Sequence, residues 1–278
     1  MKIKKTLLFL LAVILLLPIV MTMLYSFFPK TEIKAFLDSR NNYDDSVFMA
    51  FEWSPSVFSL TQYYTILIQD TSVLRLLCNS LFYTIASLAL QAIFIPMLAF
   101  ALAKMQFFGR NFLSFLIVCL MILPFQVTMA PNVLTLKALG LLDTVWAVIL
   151  PMAFAPFYIF LLRQFMVALP TEILEAAAVD GAGAVRTFFS IALPPCRPVL
   201  GAAAALSFAD LWNMVEQPLL YLSSRQDLMP LSTMFNQLSE SNAEIAFAGA
   251  ALYILPAILV YLYFQKDIET GIQLSELK

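Results

Sequence analysis

The sequence predicts an all-α integral membrane protein, and three observations carry that expectation. Hydrophobic residues make up 62% of the chain and charged residues 12%, about half the charged share of a soluble domain. The apolar residues fall into six runs, each near the roughly 20 residues that a helix needs to cross a bilayer. The basic residues gather on alternate sides of those runs. The connections between runs leave no room for a separate soluble domain, so residues 1–278 are expected to form one transmembrane domain.

In chain order, Lys2, Lys4 and Lys5 precede an apolar run over residues 7–24. No small-residue cleavage site follows it and further spans come later, so it reads as a retained first helix and not a signal peptide. The other five runs lie at 76–102, 112–133, 144–162, 198–222 and 245–264. With the N-terminus inside, the cytoplasmic segments hold Lys2, Lys4, Lys5, Lys104, Arg110, Arg163, Arg186, Arg197, Lys266 and Lys278. Setting aside the long first loop, the outer segments hold Lys137 and Arg225. Ten against two places both termini in the cytoplasm. Residues 29–73 then form the one long external loop, with Asp44, Asp45, Phe51, Glu52 and Trp53 available to an external partner or to the membrane interface. Residues 59–67 read as a short interfacial helix.

Several function classes are excluded. A net charge of −2 with no basic patch implies no nucleic-acid partner. Cys78, Cys119 and Cys196 are too widely spaced for a metal or disulfide pattern, and there is no histidine. No G-x-x-x-x-G-K-[ST] loop occurs, so the chain has no phosphate cradle of its own. It is expected to be no enzyme by itself.

The longest polar-bearing interval in the second half covers residues 169–195, LPTEILEAAAVDGAGAVRTFFSIALPP. Pro170 and Thr171 supply a helix start, and Glu172 and Glu175 put negative charge where the helix dipole favours it. Ile173, Leu174, Ala177 and Ala178 form an apolar face. The chain should turn sharply at Asp180-Gly181-Ala182-Gly183, which holds two of its seven glycines. A second short helix over 184–193 should then run until Pro194 and Pro195 stop it.

Glu175-Ala176-Ala177, three residues, Gly181, nine residues, Ile191, one residue, then Leu193-Pro194 resembles the EAA loop of ABC importer permeases, in its carbohydrate-type form. Asn79-Ser80, the F-x-x-x-W-N of Phe208 to Asn213, Pro218-Leu219-Leu220, Ala248-Gly249-Ala250-Ala251 and Pro256 are similar to the same family, whereas residues 272–278 depart from its usual ending. The resemblance implies a type I ABC importer permease fold with six transmembrane helices in the bacterial cytoplasmic membrane. It also implies that Glu175, Ala176, Ala177, Asp180, Gly181, Ile191, Leu193 and Pro194 dock an ATPase. Glu175 would meet a basic residue there, and a side chain at Gly181 would obstruct the turn or the docking surface. The implied partners are a dimer of ATPase subunits carrying ATP and Mg, a second homologous permease and an extracytoplasmic solute-binding protein. No cofactor is expected on this chain.

The fifth span is the second place where polar residues enter apolar surroundings. At about 100° per residue, Asp210, Asn213, Glu216 and Gln217 fall within an arc of roughly 120° on one helix face. An acidic side chain at mid-bilayer costs about 3 kcal/mol, so this face should point at a protein interior or a watery pathway. Pro218 should bend or end the helix. The resemblance places the face along a translocation pathway, where Asn213, Glu216, Gln217 and Trp212 supply hydrogen-bonding and stacking groups suited to sugars. The expected function is permease subunit of an importer that moves a sugar or oligosaccharide by alternating access. The alternatives are an importer of a polyol or glycerol phosphate, an ion-coupled secondary transporter and a membrane scaffold. A secondary transporter should show internal repeats, and none is evident.

Overall fold

The computed structural model describes residues 2–41, 53–69, 71–235 and 245–276, and all of the regular structure there is helical. In order these are α1 (Lys2–Tyr25), α2 (Lys30–Asn41), α3 (Thr61–Tyr64, continued by a π-turn Thr65–Gln69), α4 (Thr71–Lys104), α5 (Arg110–Ile122) and α6 (Phe125–Ala138). Then come α7 (Val145–Ala153), α8 (Pro156–Val167), α9 (Thr171–Val179), α10 (Ala184–Thr187, continued by a π-turn Phe188–Ala192) and α11 (Arg197–Trp212). The last are α12 (Glu216–Tyr221), α13 (Leu231–Met234) and α14 (Ala246–Glu276).

Among the described residues, four stretches are long and apolar enough to cross a membrane: Lys5–Tyr25, Thr71–Lys104, Val145–Val167 and Ala246–Thr270. The number rises to six if each of two bent pairs counts as one span. The first pair corrects the expectation of a continuous third span over 112–133. α5 and α6 meet at 110°. Leu123, held extended at φ −67° and ψ 125°, precedes Pro124, whose ring disfavours the helical region for the residue before it. The second pair joins the π-turn after α10 to α11 through a 3₁₀ turn at Pro194–Cys196, with a bend of 43°. Pro194 and Pro195 therefore redirect the chain where they were expected to stop it.

The fifth span also differs from the expected continuous helix over 198–222. α11 ends at Trp212, because Asn213 takes the C-cap at φ −91° and ψ 7° and both its backbone N–H (3.1 Å) and its side-chain Nδ2 (2.9 Å) donate to the Ala209 carbonyl. Pro218 sits in the first turn of α12, where its missing N–H costs nothing. The break falls at 213–215, upstream of the proline expected to cause it.

The chain divides into two compact units, residues 1–79 with 230–256 and residues 80–229 with 257–278. In the first, Tyr25, Phe28 and Ile33 pack with Met21, Leu24 and Phe247, while Ile66, Val73, Leu231, Ile245 and Ala248 form a second cluster. Gln62 is fully buried, and its Nε2 donates to the Tyr25 and Phe28 carbonyls, 3.0 Å each. Tyr25 is the last residue of α1, and its carbonyl also accepts from the Phe28 N–H at 3.1 Å, while Phe28 lies three residues beyond the helix. Gln62→Leu is expected to destabilise this unit by about 1–3 kcal/mol, read as a lower unfolding temperature in detergent. An unchanged midpoint would show that the carbonyls find other donors. Trp53 is exposed, and Asp44, Asp45, Phe51 and Glu52 of the external loop lie outside the described residues.

The second unit is built on α4, α5, α8 and α11. Ile95, Ala99 and Leu102 meet Ile117, Ile159, Leu162 and Met166, with Phe188, Val199 and Ala203 closing the cluster. This core carries both candidate sites.

Candidate functional site

The first site is the loop between α8 and α11. α9 begins at Thr171 behind Pro170, with Glu172 in its first turn. It ends in a Schellman turn: the Gly181 N–H donates to the Ala178 carbonyl at 3.1 Å and the Ala182 N–H to the Ala177 carbonyl at 2.9 Å. Gly181 stands at φ +78°, the left-handed conformation that this motif needs and that other residues adopt at a cost. A β-carbon there would meet nothing within 4 Å. The expectation that a side chain would obstruct the turn is thus corrected: conformation selects glycine at this position, while the space around it is open.

The expected apolar face of α9 is only partly buried. Ala177 is covered and Leu174 half covered, but Ile173 and Ala178 are exposed. Glu175, Ala176, Asp180 and Pro194 are exposed as well, and Ile191 and Leu193 are half-buried. Ile173, Val179, Val185 and Phe189 leave large apolar side chains uncovered around the turn. The loop is anchored from behind. Phe188 packs on Phe100 with ring centroids 5.3 Å apart, and Lys104 Nζ donates to the Leu169 (2.6 Å) and Val167 (3.4 Å) carbonyls. A cation on the last carbonyls of a helix is favourable. Sequence reasoning counted Lys104 only as a charge.

The second site is an open cleft of about 490 Å³ lined by Ala209, Asp210, Asn213, Met214, Val215, Glu216 and Gln217. Asp210, Asn213, Glu216 and Gln217 are brought together as expected, but by the interruption between α11 and α12 and not by one continuous helix face. Trp212 is not among them. It is 1% exposed and stacks on Phe208 at 5.5 Å and 13°, inside the unit. Chemically, two carboxylates and two amides offer acceptors and donors to hydroxyl groups, and no cationic side chain lines this cleft among the described residues.

The polar groups behind the cleft were missed. Tyr158 on α8 donates its hydroxyl to Asp210 Oδ2 at 2.5 Å. Gln91 Nε2 donates to the Met152 carbonyl at 2.7 Å, and Ser207 donates to Gln91 Oε1. The available signal was a buried stripe on α4: Ser80, Thr84, Ser87 and Gln91 fall on one helical face.

Candidate membrane spans with interruptions, an exposed apolar helix-turn-helix and a polar cleft fit a membrane-embedded protein that handles a polar solute. The chain belongs to the family described as the binding-protein-dependent transport system inner membrane component, whose pattern matches residues 92–273. It is 31% identical over 270 residues to the arabinooligosaccharides transport system permease protein AraQ of Halalkalibacterium halodurans, covering 96% of this chain and 92% of that protein. It is 30% identical to the polygalacturonan/rhamnogalacturonan transport system permease protein YtcP of Bacillus subtilis, over 81% of this chain and 83% of that one. A chain in the crystal structure of a bacterial ABC transporter involved in the import of the acidic polysaccharide alginate shares the fold, with a TM-score of 0.79, 24% identity and 95% of each chain covered. The protein is a transport permease of the bacterial inner membrane.

Proposed function

We infer that the chain imports a neutral sugar or oligosaccharide as one permease subunit of an ATP-driven complex. It acts as a single six-span domain with both termini and the loop around Gly181 in the cytoplasm. The observation that carries the cargo class is the cleft. Asp210, Asn213, Glu216 and Gln217 supply hydroxyl-binding groups, and its carboxylates without a neighbouring cation disfavour phosphorylated or uronic-acid cargo. The relative named for arabinooligosaccharide transport fits the neutral class, whereas the one named for polygalacturonan/rhamnogalacturonan, a uronic-acid polymer, supports carbohydrate cargo in general and not the neutral restriction.

ATP and Mg act on separate ATPase subunits, which close on nucleotide and push on the exposed turn. The loop passes that motion to α8 and α11, which flank it. A second permease and an extracytoplasmic binding protein complete the pathway, which opens alternately to either side. Purification of the tagged chain from its native membrane, followed by mass spectrometry, should recover an ATPase, a second permease and a binding protein. The recovered binding protein should take up a neutral saccharide in a screen. A chain that comes out without an ATPase would overturn the reading.

A further inference from the structure

Within the second unit, the fourth span is interrupted. α7 stops at Ala153, Phe154 and Ala155 are extended, and α8 starts at Pro156. In an unbroken helix the Met152 carbonyl would accept from the N–H of residue 156, but proline has none. Gln91 Nε2 fills that place at 2.7 Å from α4, while its Oε1 accepts from Ser207 on α11. Gln91 is buried, 5% exposed. On the other side of the interruption, Tyr158 donates to Asp210, three residues beyond Ser207 on the same helix. One end of the break is therefore tied to α4 and, through Gln91, to Ser207 of α11, while the other is tied directly to α11 one turn further on.

The position of this clamp matters. α8 runs from the break straight to the loop at 169–195, and α11 returns from it. At 1.5 Å per residue, the clamp lies about 14–20 Å from the loop end of each helix. Gln91 and Tyr158 also line a half-open, mainly apolar cleft of about 390 Å³ together with Ile95, Leu200, Arg197 and Asp267. Close-packed interiors resist displacement, so an unfilled cleft beside an interrupted helix is where these segments have room to shift.

We propose that Gln91 is a positioning residue for coupling: with Ser207 it binds the interrupted fourth span to the fifth, so that a push on the loop moves both helices and the cleft at Asp210 together. This rests on the coupling reading above. Without the clamp, the break at Phe154-Ala155 flexes and the push is absorbed there.

The test uses the complex that purifies with this chain, reconstituted in vesicles, with uptake and ATP hydrolysis measured with and without the binding protein. Gln91→Leu should assemble and hydrolyse ATP, while uptake and the stimulation of hydrolysis by the binding protein both fall about tenfold. Ser207→Ala, which leaves the Gln91–Met152 bond in place, should reduce the stimulation in the same direction. Wild-type uptake and stimulation in Gln91→Leu would overturn the proposal. If Gln91→Leu does not assemble, Ser207→Ala decides: reduced stimulation supports the clamp and unchanged stimulation overturns it. A chain that carries no ATPase sinks the coupling reading and the clamp with it, whereas an importing complex indifferent to Gln91 and Ser207 sinks the clamp alone.

Discussion

Gly181→Asp is expected to abolish uptake while the chain still inserts at normal levels. The backbone at this position stands at φ +78° and an added β-carbon meets nothing within 4 Å. Aspartate is among the residues that visit the left-handed region, so the local cost is about 1 kcal/mol, too little to unfold the bundle. The damage falls on the surface, where the new carboxylate joins Glu175 and Asp180 beside the uncovered Val179 and Val185. Burying an unpaired charge against a partner typically costs about 2–5 kcal/mol, roughly 30- to 5,000-fold in affinity. Uptake and ATPase recovery from the solubilised membrane are the measurements. Gly181→Ala, with the β-carbon but no charge, should keep most of both. Undiminished uptake by the aspartate variant would remove the coupling role from this turn.

Trp212→Ala is expected to destabilise the second unit by about 3–5 kcal/mol and to deplete the chain from the membrane. The indole is 1% exposed and lies flat on Phe208, so truncation leaves a cavity and an unpaired ring. Trp212→Phe keeps an aromatic face and should retain most of the protein and its uptake. Immunoblotting of membranes beside transport of the cognate sugar separates the two roles. Normal accumulation of the alanine variant with selective loss of uptake would show that the indole reaches the cargo.

What could be read from the sequence was mostly local. The start of α9 at Pro170-Thr171 and its end at Asp180-Gly181 depend on residues within one turn of each other, and the structure keeps them. Prolines were harder. Pro18, Pro96, Pro131, Pro151 and Pro256 all lie inside helices, while Pro124 and Pro156 stand at interruptions. Tertiary packing decides whether the residue before a proline stays helical, and spacing does not report it. By spacing Asn213 reads as a face residue of a longer helix, because its capping bonds to Ala209 compete with helix continuation only once α11 is fixed in place. Gln91 finds its acceptor 61 residues away and its hydroxyl donor 116 away. No local pattern carries that information.

The 110° corner at Leu123-Pro124 bears on how the chain is made. α5 has 13 residues and α6 has 14, so each arm reaches only about 20 Å of a hydrocarbon layer roughly 30 Å thick. Neither can be released into lipid as a finished rod when it leaves the ribosome. The Ile117 side of α5 is covered by Ile159 and Leu162 of α8, which are synthesised some forty residues later. Biogenesis of this region is therefore out of register with translation. Until residues 156–167 emerge, Ile117 has only its α4 neighbours Ile95, Ala99 and Leu102 and lacks the α8 part of its cover.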